Sequence, residues 1–379
     1  SYGQGEWFTS KSEGTEVKDA STGSTVAQVS SEGLNFKGML EYGRKVGGPV
    51  LRKMTFHERA IMLKEVGIAL GKFKDELYVT SYQTGATKTD TWIDVDGGIS
   101  TFFVYSSKGR RELPNQPWHI DGNVENLSRK GTFLGQHIMV PRRGVAVHIN
   151  SFNFPVWGMM EKLAPTFLAG MPAIIKPASA TAHLTEQAVR YIIDSGILPD
   201  GALQLISGRT GDLFDHLTCQ DIVTFTGSAS TAHYLQKHPN LTENSIPFVA
   251  ECDSLNASIL GIDVQVGAAE FDLFVKEVVR EMTVKAGQKV IDRINDLSKH
   301  CEVVLDGTEE FDVVGGDYKA GAFIKPTLLY CDKPLETKAV HTIEAFGPVS
   351  TILPYDTTDE AIELANMGEG SLVASLFTF

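Results

Sequence analysis

Leu63, Val66, Leu70, Phe73 and Leu77 recur every three or four positions, with polar residues filling the gaps. That period predicts one long amphipathic helix. Thr55-Phe56-His57-Glu58 stands at its start as a capping box, with Thr55 as N-cap and Glu58 reaching back. Ahead of it, residues 1–36 read as a polar, turn-rich segment with short strands. Residues 126–143 read as a polar hairpin, with residues 137–141 as its outgoing strand.

From Gly144 onward the pattern changes. An apolar run covers residues 144–149, and a helical stretch follows over 157–169. Residues 172–177 read as a buried strand ending in a lysine, and residues 180–195 as a helix. Strands at 202–206 and 221–225 come next, then a helix through residue 236 and a strand at 248–251. Short apolar strands alternating with helices predict an α/β fold with a parallel sheet and crossover helices. In such sheets ligands sit beyond the carboxyl ends of the strands. Asn153, Lys176, Gly227, Ser228 and Glu251 end these strands and become the candidate positions for chemistry.

Each of them carries a plain structural alternative. Thr226-Gly227-Ser228 leaves a strand and opens a helix, whose free amides suit a pyrophosphate; an ordinary strand-to-helix turn looks the same. Lys176 suits a ribose hydroxyl or a phosphate, or is a solvated strand-end lysine. Glu251 suits a general base, or a capping or salt-bridged glutamate. Asn153 could donate to an oxyanion, or serve an Asx turn.

Length and charge narrow the class. A chain of 379 residues predicts two domains. A formal net charge of −13 argues against non-specific binding to nucleic acid or anionic membranes. No stretch has the apolar length of a membrane span, and the N-terminal segment lacks the apolar core of a signal peptide. Cys219, Cys252, Cys301 and Cys331 show no CxxC and no metal-ligand spacing. A reduced, cytoplasmic setting and no metal are the expectations.

The order of the motifs adds a resemblance. Phe152-Asn153-Phe154-Pro155 resembles the aromatic-Asn-Phe-Pro motif of the aldehyde dehydrogenase superfamily. Ile175-Lys176-Pro177-Ala178-Ser179 is similar to its lysine-proline cofactor strand, and Phe225-Thr226-Gly227-Ser228 to its phosphate-side turn. Glu251 with Asn256 resembles the general-base strand. Ala286-Gly287-Gln288-Lys289 resembles the Gly-Gln stretch before the nucleophile. Glu344-Ala345-Phe346-Gly347-Pro348-Val349 is similar to the Glu-x-Phe-Gly-Pro motif over the nicotinamide ribose. Six motifs stand in family order between residues 152 and 349. Further stretches, at 251–256, 278–285 and 370–373, resemble the branch acting on CoA-bound semialdehydes in bacterial aromatic catabolism. Residues 327–330 and 340–348 lean towards the phenylacetate type, often fused to an enoyl-CoA hydratase domain that has no counterpart in this chain.

The resemblance implies a Rossmann-type cofactor domain over residues 1–125 and 144–250. It also implies an oligomerisation hairpin over 126–143 and an α/β catalytic domain over 251–379. It implies a homodimer or higher homo-oligomer. In the implied chemistry a cysteine after Lys289 attacks the aldehyde to give a thiohemiacetal, which would pass hydride to the nicotinamide cofactor and leave a thioester. Asn153 holds the oxyanion, and Glu251 activates the hydrolytic water. Phe152, Lys176, Ser179, Gly227, Ser228, Glu344 and Phe346 contact the cofactor, with Phe346 near the nicotinamide ring. NAD-preferring members tend to carry a glutamate where this chain has Ser179, so NADP is expected ahead of NAD.

The chain departs from the family at one point. Val290 stands where the nucleophilic cysteine is expected, and residues 290–294 read as a helix from farther along the fold. A segment therefore reads as missing between Lys289 and Val290, and another after residue 379. Neither Cys301, read as a buried structural thiol, nor Cys252, pointing to the strand face opposite Glu251, is a substitute. The alternatives are a CoA-acylating dehydrogenase, against which Glu251 argues, and a non-catalytic NADP-binding scaffold.

Overall fold

The computed structural model describes residues 1–283 and 290–379, and the chain falls into two compact units. The first comprises Ser1–Lys18, Thr25–Thr84 and Thr91–Cys252; the second comprises Asp19–Ser24, Gly85–Asp90 and Asp253–Phe379.

In the first unit the chain opens with β1 (Tyr2–Gly3), β2 (Glu6–Trp7), β3 (Thr15–Lys18) and β4 (Thr25–Val29). Helices α1 (Phe36–Tyr42), α2 (Gly48–Lys53), α3 (Phe56–Gly71) and α4 (Lys74–Tyr82) follow. Next come α5 (Lys88–Trp92), which straddles the two units, and α6 (Gly98–Glu112). The capping box at Thr55 forms in full: Glu58 N donates to Thr55 Oγ1, and Thr55 N to Glu58 Oε2. The single long helix expected through Leu77 is instead two. The break falls at Lys72–Phe73, where the Phe73 ring leaves the helical path and stacks on Tyr191 at 4.2 Å. Periodicity alone could not register it, because Leu77 is fully buried after the break as well.

The hairpin is β5 (His119–Asn126) and β6 (Leu134–Met139), paired antiparallel. It starts earlier than the sequence suggested. Its first strand is exposed on both faces almost throughout, so no alternation of polar and apolar residues marks it.

Then the expected alternation appears: β7 (Ala146–Ile149), α7 (Trp157–Leu168), β8 (Ala173–Lys176), α8 (Ala182–Asp194) and β9 (Leu203–Leu205). It continues with β10 (Ile222–Thr226), α9 (Ala229–Gln236), α10 (Pro239–Glu243) and β11 (Phe248–Glu251). The sheet order is β11-β10-β7-β8-β9-β1-β2. Strands β7 to β11 pair in parallel, and β1 joins β9 antiparallel. The central strands are buried on both faces, as parallel strands are when helices cover each side. Leu63, Phe102, Met160, Phe167 and Leu184 belong to one core cluster, and Met39, Val147, Ile174, Val223 and Phe225 to another.

The second unit contains α11 (Ala269–Glu281), α12 (Val290–Leu297) and α13 (Thr358–Asn366). Its strands are β12 (Ala257–Leu260), β13 (Glu302–Leu305), β14 (Thr327–Tyr330), β15 (Val349–Ile352) and β16 (Ala374–Phe377). Strands β12 and β16 pair in parallel; β14 lies between β13 and β15. Helix α12 begins at Val290, matching the helical reading of that stretch. Cys301, read as a buried thiol, is only half-buried. It packs beside Leu297, Leu329 and Cys331. No helix among the described residues is long and apolar enough to cross a membrane.

Candidate functional site

The carboxyl ends of four neighbouring strands gather the first unit's candidates. The order reverses at β7, which has β8 on one side and β10 on the other. That reversal is the topological switch point where ligands of open α/β sheets bind.

After β7, Asn150 N donates to Lys176 O at 3.0 Å, which ties the start of the Asn153 turn to β8. Within the turn, Ser151 Oγ donates to Asn153 Oδ1 at 2.6 Å. The carbonyl end of that amide is thus held by the protein, and its NH2 group is the end with protons to donate. Phe152 and Asn153 are both half-buried.

Lys176 ends β8 largely buried, and burial holds its ammonium below the usual lysine range. No carboxylate among the described residues pairs with it. A desolvated cation without a counter-charge suits an anionic or hydroxyl-rich ligand. Ser179 opens the 3₁₀ turn Ser179–Thr181 one short step beyond, and is half-buried.

Beyond β10, Ser228 is the N-cap of α9, with its Oγ accepting from Thr231 N at 3.3 Å. Gly227 N donates to Glu251 O at 3.1 Å, so the turn is laced to the end of β11. Glu251 is exposed, and its Oε2 accepts from Thr226 Oγ1 at 3.3 Å. Cys252, next to it, packs partly against the core cluster that contains Phe225.

Sequence reasoning missed two residues that hold the Asn153 turn. Asp94 is buried, and its Oδ1 accepts from Val156 N at 3.0 Å and Trp157 N at 2.7 Å. Thr185 is fully buried and donates through Oγ1 to Pro155 O at 3.2 Å. Both lie far from the turn in sequence; the one visible signal was an aspartate inside an otherwise helical stretch.

Glu344 and Phe346 belong to the second unit. Glu344 Oε1 accepts from Ser254 N at 3.2 Å, and burial raises its carboxyl above the usual range. Phe346 is exposed, with φ at +42°, a left-handed conformation that costs a non-glycine residue on the order of 1 kcal/mol or more. The next residue, Gly347, has no room for a side chain: a Cβ there would meet Val290 Cγ2 at 2.6 Å. Val290 is therefore a buried packing residue at the position where a nucleophile was expected. The Gly-Gln stretch before it, residues 286–289, lies outside the described residues. Cys301 offers no reactive thiol, since burial first and neighbouring Cys331 second push it up to about 11.

The aldehyde dehydrogenase family, whose members are aldehyde-oxidising oxidoreductases, matches residues 7–294 and 290–379. The chain belongs to that family. It is 38% identical to the 3,4-dehydroadipyl-CoA semialdehyde dehydrogenase of Aromatoleum evansii, across 100% of this chain and 83% of that protein. That alignment runs over 429 positions although this chain has 379 residues, so it spans positions for which the chain has none. The D-glyceraldehyde dehydrogenase (NADP(+)) of Picrophilus torridus is 25% identical over 86% of this chain and 72% of its own length. Among solved structures, methylmalonate-semialdehyde dehydrogenase from Oceanimonas doudoroffii shares the fold. Its TM-score is 0.80 at 20% identity, with 100% of this chain and 84% of that one covered.

Proposed function

We propose that this protein oxidises a CoA-linked semialdehyde from aromatic-compound breakdown, of the phenylacetate type, to the carboxylic acid, with NADP preferred over NAD. The 38% identity to a CoA-semialdehyde dehydrogenase along the whole chain is the observation that carries the reading.

For the cofactor, the support is Lys176 and Ser179. A largely buried ammonium that no carboxylate among the described residues pairs with, three positions before a small hydroxyl residue, suits a 2′-phosphate: it brings attraction, and Ser179 brings no repulsion. Gly227 and Ser228 lie at the start of α9, the end of a helix that favours an anion. Phe152, Glu344 and Phe346 are assigned to the same ligand, with Glu344 on the nicotinamide ribose. Bound nicotinamide supplies the hydride acceptor.

The nucleophile requires residues the chain does not have. We infer that the natural protein carries a further segment between Lys289 and Val290 and that its first residue is the cysteine. The family match breaks into two pieces at residues 290–294, the same place. Asn153 then donates its NH2 hydrogens to the oxyanion formed when the thiolate adds to the aldehyde. Glu251, exposed at the end of β11, takes a proton from the water that cleaves the thioester. A carboxylate base in that place favours release of the free acid over transfer to CoA.

Residues 1–125 with 144–250 form the cofactor-binding domain in this reading, and 251–379 the catalytic domain. The hairpin joins copies of the chain into a homodimer or larger homo-oligomer in the cytoplasm.

Intact-mass measurement of the protein purified from its natural source is the first test. A mass well above 41.3 kDa is expected; a match to that mass overturns the nucleophile assignment and leaves a non-catalytic scaffold. Product analysis with a CoA-linked semialdehyde should then show free acid, and an acyl-CoA thioester formed with added CoA would instead mark an acylating enzyme.

A further inference from the structure

The turn bearing Asn153 is anchored by parts of the chain outside its own strand and helix. Val156 is the N-cap of α7 and has no side chain able to cap it. The helix's first amides would stay unpaired without an outside acceptor. Asp94 Oδ1 takes two of them, Val156 N and Trp157 N. A carboxylate there also meets the positive end of the helix dipole.

Asp94 reaches that place through an irregular backbone. It lies in the π-helical turn Ile93–Gly97, which runs directly into α6. Such single π turns redirect side chains and recur at functional sites. Two glycines let this one press against the start of α7. A Cβ on Gly98 would stand 3.0 Å from Trp157 Cα, and one on Gly97 3.3 Å from the Trp157 ring. From α8, Thr185 Oγ1 holds the Pro155 carbonyl. Gly158 N closes the first turn onto Phe154 O at 2.8 Å. Residues 154–157 are therefore fixed from two separate helices, and Asn153 immediately precedes them.

We propose that Asp94 is a positioning residue for the reaction, with Thr185 as the second anchor: together they set where the Asn153 amide meets the oxyanion. This rests on the reading of Asn153 as the oxyanion donor. A donor displaced by about 1 Å can lose on the order of a hundredfold in rate, so an anchor beside it acts on turnover rather than on binding.

The test uses the full natural protein and Asp94→Leu, which keeps the size but accepts no hydrogen bond. The expected result is kcat at least about tenfold lower, with KM for the aldehyde and Kd for NADP within about twofold. Asp94→Asn, which keeps Oδ1, should stay within about threefold of the parent in kcat. Hydrogen exchange at Val156 and Trp157 N–H should rise in Asp94→Leu and not in Asp94→Asn, a readout independent of turnover. In an Asn153→Ala background, Asp94→Leu should cost no further kcat.

Fully additive losses, or an unchanged kcat in Asp94→Leu beside an impaired Asn153→Ala, would overturn the proposal and leave the Asn153 reading standing. A silent Asn153→Ala overturns the Asn153 reading, and this proposal with it. Should Asp94→Leu fail to fold, Thr185→Val carries the same test: a loss in kcat alone, absent in the Asn153→Ala background, supports the anchoring, and an additive loss refutes it.

Discussion

Arg44 and Asp221 form a forked ion pair just ahead of β10: Arg44 Nη2 meets Asp221 Oδ2 at 2.5 Å, and Nε donates to Oδ1 at 3.2 Å. Asp221 is fully buried and also accepts from Val145 N, Thr218 N and Thr218 Oγ1. One carboxylate thus sets the start of β10 against the residue that leads into β7. Asp221→Ala should destabilise the first unit by about 3–5 kcal/mol, because it strands a mostly buried guanidinium, two amides and a hydroxyl. Urea unfolding followed by circular dichroism measures it. A change below about 1 kcal/mol would mean water replaces the carboxylate.

His148 supplies a pH dependence. It lies fully buried on β7, hydrogen-bonded through Nε2 to Thr166 Oγ1 at 3.1 Å. Burial, with a smaller contribution from Lys162, pushes its imidazole down to about 3. The unfolded chain binds this proton more readily than the folded one. Its contribution to stability is therefore complete above the ordinary value of about 6.5 and lost as pH falls towards 3. His148→Gln should flatten the fall of Tm between about pH 6.5 and pH 4 relative to the parent. Parallel Tm curves for the two proteins would show that His148 does not titrate on unfolding.

Ser179 tests the cofactor reading. Ser179→Glu places a carboxylate where the 2′-phosphate is proposed to sit. It should lower kcat/KM for NADP by roughly a hundredfold or more and change that for NAD by less than about tenfold. Equal losses with both cofactors would remove Ser179 from the phosphate site.

Glu251→Gln separates the two halves of the reaction. Loss of a general base costs about 10²–10⁴-fold in the step it serves. Steady-state kcat should fall by that order, while a single-turnover burst of reduced cofactor survives. Loss of the burst together with kcat would move Glu251 to the first half of the reaction.

Much of the first unit was legible in the sequence. The capping box at Thr55, the alternation from β7 to β11, and the turn that caps α9 all follow from local pattern. Hydrogen bonding and hydrophobic period act there over a few residues. The break at Phe73 and the early start of the hairpin at His119 were not legible. The first is fixed by a ring stacked on Tyr191, more than a hundred residues away, and the second by pairing in a strand without a buried face.

The candidate site divides along the same line. The sequence by itself determined which residue types end or closely follow the strands, from Asn153 to Glu251, because each strand follows from a local apolar run. Only the tertiary structure decided that β7, β8, β10 and β11 are neighbours, since strand order depends on non-local pairing. It alone brought Asp94 and Thr185 to the Asn153 turn, 62 and 30 residues away from the groups they hold. A capping hydrogen bond needs only closeness in space, and nothing in the local sequence records which distant carboxylate will be near.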